Sequence, residues 1–391
     1  MSVRARLFPV LALLLAAATA IALTVALPGP AGAVVSANPD DGTCEANGRV
    51  NAVAYLGGTV YLGGSFTSVD GQPRNRLAAC EAADGDLLPW NPNANNIVRA
   101  LKVSPAGTRV YVGGDFSAVG GVARSRVAAL NPTSGAPFSW SPYVNDQVKA
   151  ITTSNSGSTV YVGGDFDSAE GAGRRHLAAF NATSGNLSTT FKPTLSNGTG
   201  KFATVLAMDV SADGDTLYFC GDFALVNSSS RRNAGAVSTG VATLRAWSPA
   251  STAGIAADLT VSASGRTVFV GGRAAGGYVQ AYGPNVGGTP VWNVGTNGDV
   301  EALAISSSIL SVGGHFTSIG GGGRGHLAAL RASGGGVDPW NPGANGVFGA
   351  FGAAITSSRV AFGGEFTVVN GENHGGFAQF SGTPEDDQRP R

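Results

Sequence analysis

One short phrase recurs seven times along the chain, and this repetition constrains the fold more than any other feature. In its full form the phrase is an apolar pair, two glycines, a polar residue and a phenylalanine, as in residues 61–66. The doublets begin at residues 63, 113, 163, 220, 271, 313 and 363, and a cysteine replaces the first glycine of the fourth copy. Their spacing, close to 50 residues, is typical of repeat architectures in which each copy is one small structural unit.

The residues around each doublet predict a small antiparallel sheet. An alternating run precedes it, as at residues 98–103, and an Arg-Leu-Ala-Ala or His-Leu-Ala-Ala phrase follows, as at 76–79. A Trp-Asn-Pro or similar phrase ends the unit. Short period-2 runs separated by Gly, Ser, Asn and Pro predict four strands per copy. We therefore predict an all-β fold for residues 34–381, a seven-bladed β-propeller with four-stranded antiparallel blades.

The two ends of the repeat region predict how such a propeller closes. The last copy stops after its third predicted strand at 376–380 and has no Trp-Asn-Pro phrase. Residues 34–39 resemble the missing phrase, with Ala37 in the tryptophan position. The N-terminal strand is thus expected to complete the last blade and remove an exposed sheet edge. The polar tail, residues 382–391, is predicted to be flexible.

Residues 1–33 are predicted to be a secretory signal peptide. A positively charged start is followed by an apolar stretch from Leu7 to Leu27 and by Ala-Gly-Ala at 31–33, as in cleaved leaders. The stretch is about 20 residues long, so an uncleaved membrane anchor is the alternative. Cleavage would give a secreted, extracellular protein without a membrane span.

Three cysteines, an odd number, suggest one disulfide and one free thiol in an exported protein. Cys44 and Cys80 are close in the chain, and we predict that they pair. Cys220 stands where most copies have glycine, which indicates a small buried side chain rather than a reactive nucleophile.

Composition and motifs exclude several functions. The chain has 25 basic and 25 acidic residues, so a nucleic-acid-binding surface has no support. Phosphate-binding loops, nucleophile elbows and zinc-protease motifs are missing from the sequence. Short acidic turns do not complete a calcium loop. We predict no metal and no cofactor, with calcium as the open alternative.

The Tyr-Val-Gly-Gly-Asp-Phe, Arg-Leu-Ala-Ala and Trp-Asn-Pro phrases together resemble the delta-sixty-type β-propeller repeats of secreted bacterial proteins. That family is a domain of unknown function, and the resemblance covers nearly the whole chain after residue 33. It implies a propeller and no particular reaction. Kelch propellers are a weaker second resemblance, because they share the glycine doublet but have Tyr and Trp at spacings that this chain lacks.

A polar residue follows each doublet, and a basic residue comes nine positions later in most copies. Neighbouring strands of a hairpin can bring two such side chains together. We predict a structural ion pair or hydrogen bond that fixes the turn in each copy, with a catalytic ring as the alternative, although repetition disfavours an active site. The predicted pairs are Asp115 with Arg124, Asp165 with Arg174, Asp222 with Arg231, and Glu365 with His374.

Asparagines recur five or six residues after the tryptophan position and mark a candidate binding face. Turn formation accounts for asparagine at such positions, and a polar ring for a glycan, peptide or calcium ion is the functional interpretation. The candidate binding residues are Asn95, Asn145, Asp146, Asn197, Asn297, Asp299 and Asn345.

These observations predict a monomeric binding scaffold for an extracellular or cell-envelope glycan or protein, without evident catalysis. A polysaccharide-active hydrolase or lyase is the first alternative, since enzymes can assemble a site from scattered residues. Its residues would be the exceptions among the repeats, namely Arg273, His315 and Glu365. A spacer that binds no ligand is the second alternative.

Overall fold

The computed structural model describes residues 35–198, 202–249, 254–285 and 288–381. The predicted signal peptide and the predicted tail, residues 382–391, lie outside these ranges. Contacts within the chain separate residues 1–31 from the remainder, and the fold below is that of the second unit. The regular structure of the described residues consists of β-strands alone. Within those same ranges we find no helix with the length and apolarity needed to cross a bilayer.

Each repeat copy forms one main antiparallel sheet in the described residues, and the sheets are numbered one to seven in chain order. The first strands are Val50–Leu56, Val98–Val103, Val148–Thr153, Thr204–Val210, Ala256–Val261, Val300–Ile305 and Ala350–Ile355. The second strands, which contain the doublets, are Thr59–Gly64, Val110–Gly114, Thr159–Gly164, Thr216–Asp222, Val268–Gly272, Ile309–Gly314 and Arg359–Gly364. The third strands are Leu77–Glu81, Val127–Leu130, Leu177–Asn181, Ala234–Ser238, Tyr278–Tyr282, Leu327–Arg331 and Phe377–Ser381.

The expected fourth strand is a full strand in sheet five, where it is Trp292–Gly295. Other sheets have a single bridge at this place, such as Leu130 with Pro137 in sheet two. The prediction of four-stranded units is therefore wrong for the other six main sheets described. The physical reason is proline, which has no N–H to donate to a ladder and interrupts the Trp-Asn-Pro phrases.

Short two-stranded ladders lie between the second and third strands of six copies. They are Ser68–Val69 with Gln72–Pro73, Ala118–Val119 with Val122–Ala123, Ser168–Ala169 with Ala172–Gly173, Leu225–Val226 with Ser229–Ser230, Ser318–Ile319 with Gly322–Gly323, and Val368–Val369 with Glu372–Asn373. In copy four, Leu195–Ser196 adds a third strand to the ladder.

Each glycine doublet permits a close approach between the first two strands. A Cβ atom on Gly114 would lie 2.1 Å from the carbonyl oxygen of Ile97, which no side chain tolerates. The register shifts by one residue between Val98 and Ala100, so Arg99 occupies a β-bulge beside this approach. Equivalent shifts occur in the first strands of all seven main sheets.

Aromatic rings join neighbouring sheets. Trp90 is 2 % exposed, packs in one cluster with residues of sheets one and two, and donates its indole N–H to the Asn131 carbonyl at 2.9 Å. Trp140 makes the same bond to Asn181 in the next sheet. The first strand of each sheet contacts the first strand of the next, and Ala350–Ile355 contacts Val50–Leu56.

The amino-terminal residues lie along the last strand. The Asp40 amide donates to the Gln379 carbonyl at 2.8 Å, and the Ser36 amide donates to the Ser381 carbonyl at 3.3 Å. The Asp40 carboxylate also accepts from the Ser381 amide at 2.8 Å.

The register of this segment differs from the expected one. Asp40 bonds to its neighbouring strand as Leu88 does in sheet one, so Gly42 and not Ala37 lies at the tryptophan position. The turn at Asp84 leaves no room for a ring there, because a Cβ on Gly42 would lie 2.2 Å from the Asp84 carbonyl oxygen.

A disulfide joins Cys44 of this segment to Cys80 in the third strand of sheet one, with 6.5 Å between the Cα atoms. Cys220 is a free, fully buried thiol. Burial raises the pKa of this thiol well above its usual value, which keeps it protonated and unreactive.

Candidate functional site

The ion pairs predicted at a spacing of nine residues do not form. Asp115 instead accepts two hydrogen bonds from Arg99, both at 2.7 Å. Asp165 pairs with Lys149 at 2.8 Å. Arg99 and Lys149 are the bulged residues of their first strands, and the bulge places them beside the doublet. The bulge on the first strand thus determines which basic residue pairs with the carboxylate that follows the doublet.

The basic residues of the predicted pairs bind backbone carbonyls. The Arg124 guanidinium donates to Ala123 at 2.7 Å and to Phe138 at 2.6 Å, which fixes the chain around the third strand. Arg174 and Arg231 make the equivalent bonds in the next two copies. His374 shares a hydrogen bond with the Thr43 hydroxyl at 2.8 Å.

The carboxylates of the last two predicted pairs also have other partners. Asp222 accepts from the Asn197 amide at 3.3 Å. Glu365 forms an ion pair with Arg49 of sheet one, at 2.5 Å.

The predicted asparagine ring is structural. The Asn95 side-chain oxygen accepts from the Ser117 and Ala118 amides at 2.9 and 3.0 Å, and its amide donates to the Ser117 hydroxyl at 2.8 Å. Similar clamps, which hold the short ladders, occur at Asn47, Asn145, Asn297 and Asn345.

Two further residues of that ring are also engaged locally. Asn197 donates to the Phe202 carbonyl at 2.8 Å, and Asp146 accepts from the Gln147 amide at 2.7 Å. These side chains thus bond to their own chain, as turn formation predicts, and a ligand-binding role for the ring stays a prediction.

An asymmetric cluster lies where sheets five and six meet. One ligand-type atom from each of Asp299, Glu301 and His315 lies within 4.8 Å of the others. Arg273 of sheet five donates to Glu301 at 2.6 Å, and His315 Nδ1 lies 3.7 Å from Asp299. Glu301 occupies the bulge that holds Arg99 in sheet two, and His315 follows the doublet as Asp115 does. In sheet two the bulge carries the basic residue, Arg99, whereas in sheet six it carries the acidic Glu301. The basic partner of Glu301 is Arg273, which lies in sheet five.

Burial leaves two atoms of this cluster available. The Glu301 side chain is 6 % exposed, and its Oε1 has no hydrogen-bond partner among the described residues. The same holds for His315 Nε2. Burial lowers the pKa of His315, so its imidazole is neutral at pH 7. A buried carboxylate oxygen without a partner can accept a hydrogen bond from a ligand or a water molecule.

Aromatic rings extend the cluster toward sheet one. The edges of Phe348 and Phe351 meet His315, with ring centroids 5.3 and 5.5 Å away. The Arg49 guanidinium lies 4.2 Å from the Phe351 ring centre and also pairs with Glu365. Phe348 is 45 % exposed. We call the following residues the His315 patch: Arg49, Arg273, Asp299, Glu301, His315, Phe348, Phe351 and Glu365.

Sequence reasoning identified half of this patch. Arg273, His315 and Glu365 stood out as exceptions to the repeat, and Asp299 was assigned to the asparagine ring. Glu301 and Phe351 were missed, as were Arg49 and Phe348. A comparison of the copies at the bulge position could have identified two of them. This position is basic in copies two and three, Arg99 and Lys149, but is Glu301 in copy six and Phe351 in copy seven.

The patch is poorly suited to a cation. Asp299, Glu301 and His315 offer ligand atoms that suit a divalent ion. However, Arg273 occupies one Glu301 oxygen and places a positive charge beside it. The opposed charges of Arg273 and Glu301 fit hydrogen bonding to an uncharged polar ligand better.

Comparison with known proteins supports the fold class. Residues 58–78 match the family described as "Domain of unknown function (DUF5122) beta-propeller". A search of the curated proteins finds no match. The crystal structure of the computationally designed Ika8 protein is similar, with a TM-score of 0.51 and 14 % identity over 86 % of this chain and 97 % of that one. This chain therefore has an all-β, repeat-built fold, and its short family match is to a β-propeller of unknown function.

Proposed function

We propose that the chain is a secreted, seven-bladed propeller of the delta-sixty type, closed by its N-terminal residues. The seven main sheets in the described residues support this blade count. The successive contacts of the first strands, including the return from Ala350–Ile355 to Val50–Leu56, support a ring. The bonds of Ser36 and Asp40 to the last strand support closure of the seventh blade by the N-terminal segment.

The function that the geometry supports best is binding of an extracellular or cell-envelope glycan at the His315 patch. The observation that carries it is the buried, unpartnered Glu301 Oε1 in a cluster with His315, whose ring contacts the exposed Phe348. A sugar presents hydroxyls that donate to carboxylates and accept from Arg or His, and its C–H face packs on an aromatic ring. Phe348 would contact that face, while Glu301 and Asp299 would accept from hydroxyls.

The other sheets explain why one patch, and not a ring, is the candidate. At the equivalent position of sheet two, Arg99 and Asp115 satisfy each other in a bidentate pair. In sheet three, Lys149 and Asp165 form an ion pair through one contact at 2.8 Å. Self-satisfied pairs gain little from a ligand that must displace one partner. The protein would act as a monomer that needs no cofactor for binding.

The test is co-sedimentation of the protein with insoluble polysaccharides and envelope fractions, with calcium or with a chelator. His315→Ala and Phe348→Ala are expected to weaken retention at least tenfold. Asp165→Ala, at the same repeat position as His315, and Phe202→Ala, another exposed phenylalanine, are the matched controls and should bind like the unmodified protein. Retention that is unchanged in both patch variants would contradict the proposal, and retention on protein-only envelope fractions would indicate a protein partner.

A polysaccharide-active enzyme is the second candidate, favoured by one observation. Two carboxylates, Asp299 and Glu301, lie together with one of them buried, and general acid–base cleavage of glycosidic bonds uses paired carboxylates. Release of new reducing or unsaturated ends from a bound polymer, lost in Glu301→Gln while binding persists, would establish this activity. Binding without release would leave the scaffold function.

A further inference from the structure

One aromatic ring fills the same space between neighbouring sheets in the first five copies. Tyr61 illustrates it, because its ring lies opposite Ala79 on the third strand and 5.1 Å from Trp90. The equivalent rings of the first five copies are Tyr61, Tyr111, Tyr161, Tyr218 and Phe269. Each packs against the aromatic residue at the tryptophan position of its own copy, at 5.0 to 5.8 Å.

The sixth and seventh copies lack this ring. In the seventh copy the position is Ala361, opposite Gln379. Gln379 is 3 % exposed, accepts from the Tyr55 hydroxyl at 2.7 Å and donates to the Ala82 carbonyl at 2.8 Å. Tyr55 packs in the same cluster as Ala361, so a neighbouring sheet refills the space.

In the sixth copy the ring is replaced by Ser311, opposite Ala329, and the described residues leave the space open. A cavity of about 520 Å³ lies there. Its lining includes Ser311 and Trp340, together with the aliphatic side chains of Ile305 and Ile309. Protein cavities that hold small molecules have volumes of roughly 300–1,000 Å³, so this one is large enough for a ligand.

The mouth of the cavity is polar. Hydroxyl residues 306–308 and 356–358 line it, together with Arg359, whose buried Nε has no hydrogen-bond partner among the described residues. In the filled copies, the hydroxyls of Tyr61, Tyr161 and Tyr218 donate to carbonyls of the next sheet's turn. The open copy therefore has an apolar wall for a ring, and its lining also supplies hydroxyls and the Arg359 guanidinium as hydrogen-bond partners for a polar substituent.

We propose that this cavity binds a small aromatic molecule that carries a hydroxyl or carboxylate group. The ring takes the place of the missing tyrosine, against Trp340 and beneath Ile305 and Ile309. The polar group bonds to the hydroxyls at the mouth, and a carboxylate gains the charge of Arg359. The contacts of the aromatic ring in the first five copies thus indicate the shape of the ligand, and the hydroxyl groups and Arg359 of the lining indicate its polarity.

This site is separate from the His315 patch. Glu301 is at the start of the strand Val300–Ile305, and the cavity residues Ile305 and Ser306 are at its end. At about 3.3 Å per residue, this places the two sites on the order of 15 Å apart. Loss of ligand binding at one site is therefore not expected to affect binding at the other, and the two proposals can be tested separately.

The experiment measures binding of 4-hydroxyphenylacetate by calorimetry, with cyclohexylacetate as a non-aromatic comparison. The aromatic probe is expected to bind, and at least tenfold more tightly than the comparison. Ser311→Tyr restores the ring of the other copies and should reduce binding at least tenfold while raising the melting temperature. Ser311→Ala keeps the space and should retain binding within twofold.

Hydrogen exchange on the unmodified protein provides a test that does not depend on the variants. The probe should slow exchange in residues 305–311 and 355–360. Absence of binding, equal binding by Ser311→Tyr when that variant is folded, or protection confined to other segments would each overturn the proposal.

Discussion

Cys220 and Ala256 pack together in the core between sheets four and five. At the equivalent position between sheets one and two, a Cβ on Gly63 would lie 2.7 Å from a Val98 methyl group. Five copies pair glycine with valine in this way, and the fourth pairs the larger cysteine with the smaller alanine. In the fourth copy the larger residue thus offsets the smaller one, which gives the free thiol a packing role. The sixth copy differs, because Gly313 faces Ala350 and a Cβ on Gly313 would also lie 3.1 Å from the Phe362 ring.

Substitutions at Cys220 and Ala256 should have non-additive effects on the free energy of unfolding. Ala256→Val adds methyl groups against the Cys220 sulfur and is expected to cost about 1–3 kcal/mol by overpacking. Cys220→Gly leaves a void and is expected to cost about 1–2 kcal/mol. The double variant reproduces the pair found in five other copies and should recover at least half of the summed loss. Urea unfolding of the four proteins measures this, and simple additivity would contradict the packing account.

The corrected ion pair can be tested by a second cycle. Asp115→Asn should couple to Arg99→Met and not to Arg124→Met, because Asp115 binds Arg99. The Arg99 variant should cost less than about 1 kcal/mol, as expected for a partly exposed pair. The Arg124 variant removes two bonds from a 9 % exposed guanidinium to carbonyls and should cost about 2 kcal/mol. Coupling between Asp115 and Arg124 would restore the original prediction.

The asparagine clamps should affect stability and leave binding unchanged. Asn95→Ala removes three hydrogen bonds that hold the ladder at Ala118–Val119, and is expected to cost about 1–2 kcal/mol. Asn91→Ala is the control, because its bond to the Pro73 carbonyl is 3.5 Å long, and should cost under about 0.5 kcal/mol. Thermal unfolding and polysaccharide co-sedimentation are measured on the same samples. A loss of retention in folded Asn95→Ala would return the ring to the binding surface.

Asp258 gives stability a specific pH dependence. Its carboxylate accepts from the Leu259 amide at 2.8 Å and from the Leu303 amide at 2.7 Å, which ties sheet five to sheet six. Burial raises the pKa of Asp258 to about 7 from its ordinary 3.8. Between these values the folded state binds more protons than the unfolded state, so the contribution of Asp258 to stability falls as pH rises to 7.

Asp258→Asn removes this titration. The stability deficit of the variant relative to the unmodified protein should therefore shrink from pH 5 to pH 7, by up to about 1.4 kcal/mol per pH unit, and level off above. Urea unfolding across this range measures the difference, with the exposed Asp86→Asn as control for the change of charge. A deficit that stays constant from pH 5 to pH 7 would show that the two amide bonds outweigh burial and hold the carboxylate ionised, because it would then carry no proton in either state over this range.

The positions of the first three strands of each sheet follow from local chemistry and were predictable, whereas the fourth strand was predicted in seven sheets and is found in one. Glycine is required where the second strand approaches the Ile97 carbonyl, and proline interrupts the fourth strand, so the repeat marks each sheet directly. The packing role of Trp90 was predictable from its fixed place in the repeat. The pairing of Arg99 with Asp115 was not, since it depends on a one-residue bulge that leaves no mark in the sequence of a single copy.

The sequence by itself determined the all-β architecture and the positions at which copies differ, because alternation and turn residues act over a few neighbours. Tertiary structure decided what those differences mean. Ala361 and Ser311 both lack the aromatic ring, yet Tyr55 and Gln379 from neighbouring strands close one space while the other stays open. Glu301 and His315 come together on two strands of sheet six because of its bulge, and Phe348 joins them from the start of sheet seven, so the cluster depends on contacts between strands and sheets that no local pattern specifies.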